Sequence, residues 1–158
     1  MSVGLSPADG RQWLRLRQLR VQRARQALAL AQAEAGRARA AVEAREASIQ
    51  QHRELIVALA LHWGGAGSVD MPRWGQQVQA HGEALAEKLE RDEYALLDER
   101  ETLEQAQAAV GQRRTELGRA QAREDAVEAT LKDQHRQRQQ AREQQAELEA
   151  EEACRKMH

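Results

Sequence analysis

The sequence predicts an all-α fold, an antiparallel two-helix coiled-coil hairpin whose second helix is the longer. Three observations carry this expectation. Leu14, Val21, Leu28, Ala35, Val42, Ile49, Ile56 and Trp63 fall at an unbroken seven-residue spacing. Leu89, Leu96, Leu103, Val110 and Leu117 repeat that spacing downstream. A strict seven-residue period keeps one apolar stripe turned toward a partner on a supercoiled helix. Between the stripes lies Gly64-Gly65-Ala66-Gly67-Ser68, a break short enough to make the two helices antiparallel neighbours.

Composition points the same way. Phe is absent and Tyr occurs once, while charged residues make up 31% and leave a net charge of only −1. Strong helix formers with few bulky side chains suit a thin two-helix seam better than a thick globular core. The near-cancellation of charge separates the chain from disordered sequences of high net charge, and an extended helical rod is expected.

The elements follow in order. Ser6-Pro7-Ala8-Asp9 is a helix start: Ser6 caps, Pro7 suits the first helical position, and Asp9 lies near the positive helix end. Helix one is predicted over about residues 7–63, with Ala24, Ala31, Ala38, Arg45, His52 and Leu59 as its second seam row. The turn spans residues 64–70, where glycines favour left-handed closing conformations. Asp70 is the expected cap of helix two and Pro72 sits in its first turn, the helix then running over about residues 71–157. If facing residues have numbers summing to 137 or 138, Val21 meets Leu117, Val42 meets Leu96, Ile49 meets Leu89, Arg45 meets Asp92 and Trp63 meets Trp74. That register leaves helix two unpartnered after about residue 131.

Charge is unevenly spread. Residues 1–30 carry six arginines and one acid, and residues 111–142 carry eight bases and five acids. Residues 69–110 carry four bases and ten acids. Neutrality of the whole therefore hides a basic end and an acidic half, which matters for encounter with a partner.

Motifs for chemistry are missing. The sequence has no phosphate-cradling GxxxxGK loop, no nucleophile elbow and no metalloprotease helix. No enzyme, cofactor or metal is expected. His52, His62 and His81 lie near the turn without a cysteine to complete a zinc set, and His52 reads as a polar break that specifies seam register. Cys154 is the single cysteine, so no disulfide framework is expected and a reducing compartment is favoured. Met1-Ser2-Val3-Gly4-Leu5 lacks the pattern of a secretory signal, and the apolar run over residues 55–61 is too short to cross a bilayer. The arginines of residues 11–25 are interleaved with only one aromatic, Trp13, so nucleic acid is not expected. Membrane insertion is not expected either, because the apolar stripe is committed to the hairpin.

The tryptophans are placed with more meaning. Trp63 and Trp74 bracket the turn and are expected to stack on each other and on Met71, while offering an aromatic anchor to a partner. Trp13 marks the opposite end, near Gly118 and Glu124 in the expected register, with the glycine making room for the indole.

Two helices of unequal length, a tip near residue 68, and Met71-Pro72-Arg73-Trp74 opening helix two resemble the FliJ/YscO stalk proteins of bacterial type III secretion. Gln76-Gln77-Val78 and Leu85-Ala86-Glu87-Lys88-Leu89 are similar to the start of that family's second helix. As architecture the resemblance covers nearly the whole chain; as sequence it is confined to about residues 71–89. It implies a non-enzymatic central stalk that couples a secretion ATPase hexamer to the cytoplasmic domain of the export gate and contacts chaperones of secreted substrates. It implies a cytoplasmic protein, peripheral to the inner-membrane apparatus. Arg11, Trp13, Arg15, Arg17 and Arg20 would dock in the ATPase ring, and Trp63, Met71, Trp74 and Val78 would face the gate. An unrelated coiled-coil scaffold or adaptor remains the alternative.

Overall fold

A computed structural model describes residues 4–158. Met1-Ser2-Val3, part of the stretch read for a secretory signal, lies outside the described residues. Two α-helices account for almost all of the fold: α1 over Pro7–Gly64 and α2 over Met71–Lys156, joined through a short 3-10 turn over Ala66–Asp70. The residues group into two compact units, Met1–Leu28 with Arg113–His158, and Ala29–Gln112. They are called here the terminal unit and the turn unit.

In the turn unit the residues paired across the helices run in opposite directions. Arg45 reaches Asp92 and Glu99, Arg53 reaches Glu93, and Leu59 lies against Gly82. Partners in α2 count down as α1 counts up, so the helices are antiparallel. Val42, Ile49 and Leu96 form the buried cluster, with Leu89 and Leu103 packed against it. The numbers of residues linked by ion pairs across this unit sum to between 137 and 146, so the expected register of 137–138 is its lower edge. The physical reason is interleaving: an apolar knob enters a hole between facing residues instead of meeting one head-on.

The turn closes differently from the expectation. No described glycine has a positive φ. Gly67 is buried, and a Cβ there would lie 2.9 Å from His62 Nε2. The glycine is thus needed for close approach of the His62 ring, not for a left-handed backbone. Ser68 donates its amide (3.1 Å) and hydroxyl (2.7 Å) to the Gly65 carbonyl, which ties the turn together. Asp70 ends the 3-10 turn and directly precedes Met71, the first residue of α2, the position expected of its cap.

The terminal unit starts on a capping exchange. The Asp9 amide donates to Ser6 Oγ at 3.2 Å while the Ser6 hydroxyl donates to the Asp9 carboxylate at 2.7 Å, which satisfies an amide that the first turn leaves open. Val21 and Val127 are buried, flanked by half-buried Leu14, Ala24, Leu28, Leu117, Ala120 and Leu131. Gly10 is buried because Leu131 lies over it; an added Cβ would come within 2.5 Å of a Leu131 methyl. Gly118, by contrast, has nothing within 4 Å of where its Cβ would be, so it makes no room for Trp13. The Arg138 guanidinium donates to the Leu5 carbonyl. Partly covered positions on α2 continue past residue 131 through Gln134 to Arg138, and only from residue 139 onward is every residue exposed.

A thin seam makes its few apolar residues individually costly to lose. Ile49→Ala should destabilise the protein by about 2–4 kcal/mol, through lost transfer energy and the cavity left behind. Leu97→Ala, at a side chain that is 61% exposed, should stay within about 0.5 kcal/mol of the parent. Denaturant unfolding followed by circular dichroism checks both, and equal losses at the two positions would contradict the assigned seam.

Candidate partner-binding surfaces

On α1 of the terminal unit, Trp13, Arg17 and Arg20 recur at helical spacing. Trp13 and Arg17 are half-buried, while Arg11, Arg15 and Arg20 are exposed. None of these four arginines makes an ion pair among the described residues. Arg17 and Arg20 line a groove with Glu116, Arg119, Ala120 and Arg123 of α2. Arg119 and Arg123 were not singled out in the sequence; the available signal was their four-residue spacing beside the Leu117 and Ala120 seam positions. The unit holds 16 Lys and Arg against 11 Asp and Glu, a net +5, whereas the turn unit holds 8 against 14, a net −6.

The residues expected at the tip lie in the turn unit, but not as a stacked pair. Trp63 is half-buried and meets the His62 ring edge-on, with centroids 5.1 Å apart and planes at 81°. Trp74 is 42% exposed and carries the Arg73 guanidinium 5.2 Å over its ring. No ring contact joins the two tryptophans among the described residues. The correction has a simple cause: His62 is adjacent in sequence and already fills the space over Gly67, so it takes the place expected of Trp74. Met71 is exposed and Val78 half-buried. Sequence reasoning missed Leu61 and Val69, which are 72% and 84% exposed in and beside the turn. Both fall off the seven-residue stripes, which is the signal that no seam partner covers them.

A polar cluster interrupts the apolar seam of the turn unit. Arg45 Nη1 lies 2.8 Å from Asp92 Oδ1, and Arg45 Nη2 lies 2.9 Å from Glu99 Oε1. The Ser48 hydroxyl donates to Asp92 Oδ2 at 2.9 Å. His52 Nδ1 is also 2.9 Å from that oxygen, close enough for charge attraction when protonated but without the alignment of a hydrogen bond. Hydrogen bonding from Ser48 holds the Asp92 carboxyl below its ordinary range, with the Arg45 hydrogen bond and charge adding to it and desolvation opposing. Hydrogen bonds to Glu99 and Asp92 raise Arg45. Around Ile49, Tyr94, Leu96 and Leu97 lies a groove of about 610 Å³, bordered by the Arg53–Glu93 and Arg100–Glu46 pairs at 3.2 Å each.

Among the described residues, no three His, Cys, Asp or Glu side chains gather as a metal site, and no helix is long and apolar enough to cross a membrane. His52, His62 and His81 do not form such a set.

Asp92 fixes a sign for the pH response. Its folded-state affinity for a proton is lowered, so it contributes stability above the unfolded carboxyl value of about 3.9 and loses it as pH falls through the lower folded value. The parent should therefore exceed Asp92→Asn in stability at about pH 7, and that advantage should shrink below about pH 4. Denaturant midpoints of the two proteins across this range test it; an advantage that grows on acidification would contradict the assignment.

No family model, curated protein or solved structure matches this chain.

Proposed function

We propose that this chain is the central stalk of a bacterial type III secretion system, a non-enzymatic protein that couples the secretion ATPase hexamer to the export gate. The observation that carries the reading is the uncompensated arginine set of the terminal unit, Arg11, Arg15, Arg17 and Arg20, beside Trp13. Cross-helix arginines of the turn unit have carboxylate partners. Arginines without an ion-pair partner among the described residues can meet acidic groups on another protein, and clustered charge steers encounter. The likeness of residues 71–89 to the FliJ/YscO family supports the same reading, as do two helices joined by one short turn.

In this reading the terminal unit enters the ATPase ring, and the export-gate cytoplasmic domain meets Trp63, Met71, Trp74 and Val78, with Leu61 and Val69 adding apolar area. Chaperones of secreted substrates are further partners. The protein acts in the cytoplasm, peripheral to the inner-membrane apparatus. A second reading, a coiled-coil scaffold or adaptor, is favoured by the groove around Ile49, Tyr94 and Leu97, for which the stalk has no assigned use.

Replacing Arg11, Arg15, Arg17 and Arg20 by glutamate should weaken association with the ATPase of the same gene cluster by ~100-fold or more at physiological salt, since several charge contacts are inverted together. Helicity should remain. Trp63→Ala with Trp74→Ala should spare that association and reduce export. Co-purification and hydrolysis assays read the first effect and a secretion assay the second. A parent protein that does not bind the ATPase would leave the scaffold reading in its place.

A further inference from the structure

Cross-helix pairing follows opposite rules in the two units. In the turn unit, Arg45, Arg53 and Arg100 each reach across to a carboxylate on the other helix. In the terminal unit, Arg17 and Arg20 of α1 share a groove with Arg119 and Arg123 of α2. The one carboxylate lining that groove, Glu116, is held by Arg113 on its own helix at 2.9 Å. Four guanidinium groups therefore border one groove with no ion-pair partner among the described residues. Positions flanking a coiled-coil seam are where opposite charges normally meet, and like charges there destabilise. At exposed positions this repulsion is weak and the fold tolerates it, so four guanidinium forks are left available to a ligand.

We propose that the groove of Arg17, Arg20, Arg119 and Arg123 binds a soluble polyphosphate, a ligand of two or more linked phosphate groups. Guanidinium forks match phosphate oxygens in paired hydrogen bonds. A single carboxylate brings one charge and satisfies one fork, whereas a short phosphate chain presents several charges in the space that four arginines share. The groove is about 230 Å³, below the range of about 300–1,000 Å³ usual for drug-sized ligands. Its lining holds no aromatic side chain on which a base could stack, which disfavours single-stranded nucleic acid. Its only apolar member is Ala120, so the groove itself offers no pocket for an apolar side chain, whatever the exposed arginines around it meet. The inference goes beyond the stalk reading and does not depend on an ATPase partner.

Titration calorimetry of the full chain with inorganic tripolyphosphate tests it, alongside thermal melting. The parent should bind one equivalent saturably and melt at a higher temperature with ligand present, because binding to the folded state alone stabilises it. Arg17→Gln with Arg20→Gln, and separately Arg119→Gln with Arg123→Gln, should each weaken binding by ~tenfold or more, the size expected for lost charge-assisted contacts. Arg37→Gln with Arg39→Gln removes the same charge from the turn unit and should leave binding unchanged. The groove variants relieve repulsion, so without ligand they should melt no lower than the parent. If either double variant melts lower, the single exposed-site variants Arg20→Gln and Arg119→Gln carry the same comparison. The proposal is overturned if binding does not saturate, or if the Arg37 and Arg39 control weakens it equally. Reproduction of the melting shift by sodium chloride at matched ionic strength also overturns it, since that is screening. So does tighter binding of a single-stranded oligonucleotide or a poly-glutamate peptide through the same arginines, which would make the ligand a macromolecule.

Discussion

The ion-paired cluster at Arg45 is the interaction on which the order of the turn unit depends. The described residues include no side chain that is wholly shielded from solvent, and the buried set is made of small or medium residues such as Val42, Ile49 and Leu85. A seam of this kind gains energy from many similar contacts, and a slide by one heptad would replace each with an equivalent one. Arg45 breaks that equivalence. It meets two carboxylates seven residues apart, Asp92 and Glu99, while Ser48 and His52 address the second oxygen of Asp92. Sliding the helices would strand a largely covered carboxylate without donors, which costs more than its pairing contributes. Specificity of register is the best-attested use of such a polar break in a coiled coil.

The same argument shows what the sequence could and could not reveal. Seven-residue spacing identified the seam because burial of one stripe on a long helix leaves a period that no other demand produces. Every residue from Leu14 to Trp63 in that stripe is buried or half-buried. Pairing of Arg45 with Asp92 was legible because charged residues stand out in an apolar row, but Glu99 was not, since it belongs to the next turn pair and reveals itself only when knobs interleave. The turn was misread at the level of backbone: glycines there suggested left-handed conformations, whereas Gly67 is small to admit His62. Tryptophan stacking across the turn was also misread, because His62 as a competing ring partner has no signature in a seven-residue pattern. Leu61 and Val69 could have been found by asking which apolar residues the stripes leave over.

Arginine plays two different parts in this chain, and the difference lies in what faces it. In the turn unit Arg45, Arg53 and Arg100 are fasteners, their charge met by carboxylates across the helix pair. In the terminal unit Arg17, Arg20, Arg119 and Arg123 face their own kind across one groove, without a carboxylate partner among the described residues. Exposed charges of one sign repel weakly through water and salt, so the fold tolerates the arrangement. Surface salt bridges contribute little to stability in any case, which is why leaving these arginines unpaired is cheap while the recognition capacity they retain is not.

The last stretch of α2 shows how a helix can persist with no packing at all. From residue 139 every side chain is exposed, yet the helix continues to Lys156. An isolated helix must first form an unfavourable nucleus, its first hydrogen-bonded turn. Here nucleation is already met, because the stretch only extends a helix that packing has formed upstream. Propagation then rests on residue type: Ala, Gln and Glu dominate residues 139–153 and lie near the favourable end of the helix scale. Gln145 donates to Glu149 one turn on at 3.1 Å, and Arg155 and Lys156 place positive charge at the negative end of the helix dipole. The overhang is therefore a helix by propensity and continuation, and its stability does not depend on the arginine groove or on the seam beyond the point where both helices part. Glu143, Glu147 and Glu151 recur along it at four-residue spacing, an acidic face that leaves the basic character of the terminal unit concentrated around the paired part of its helices.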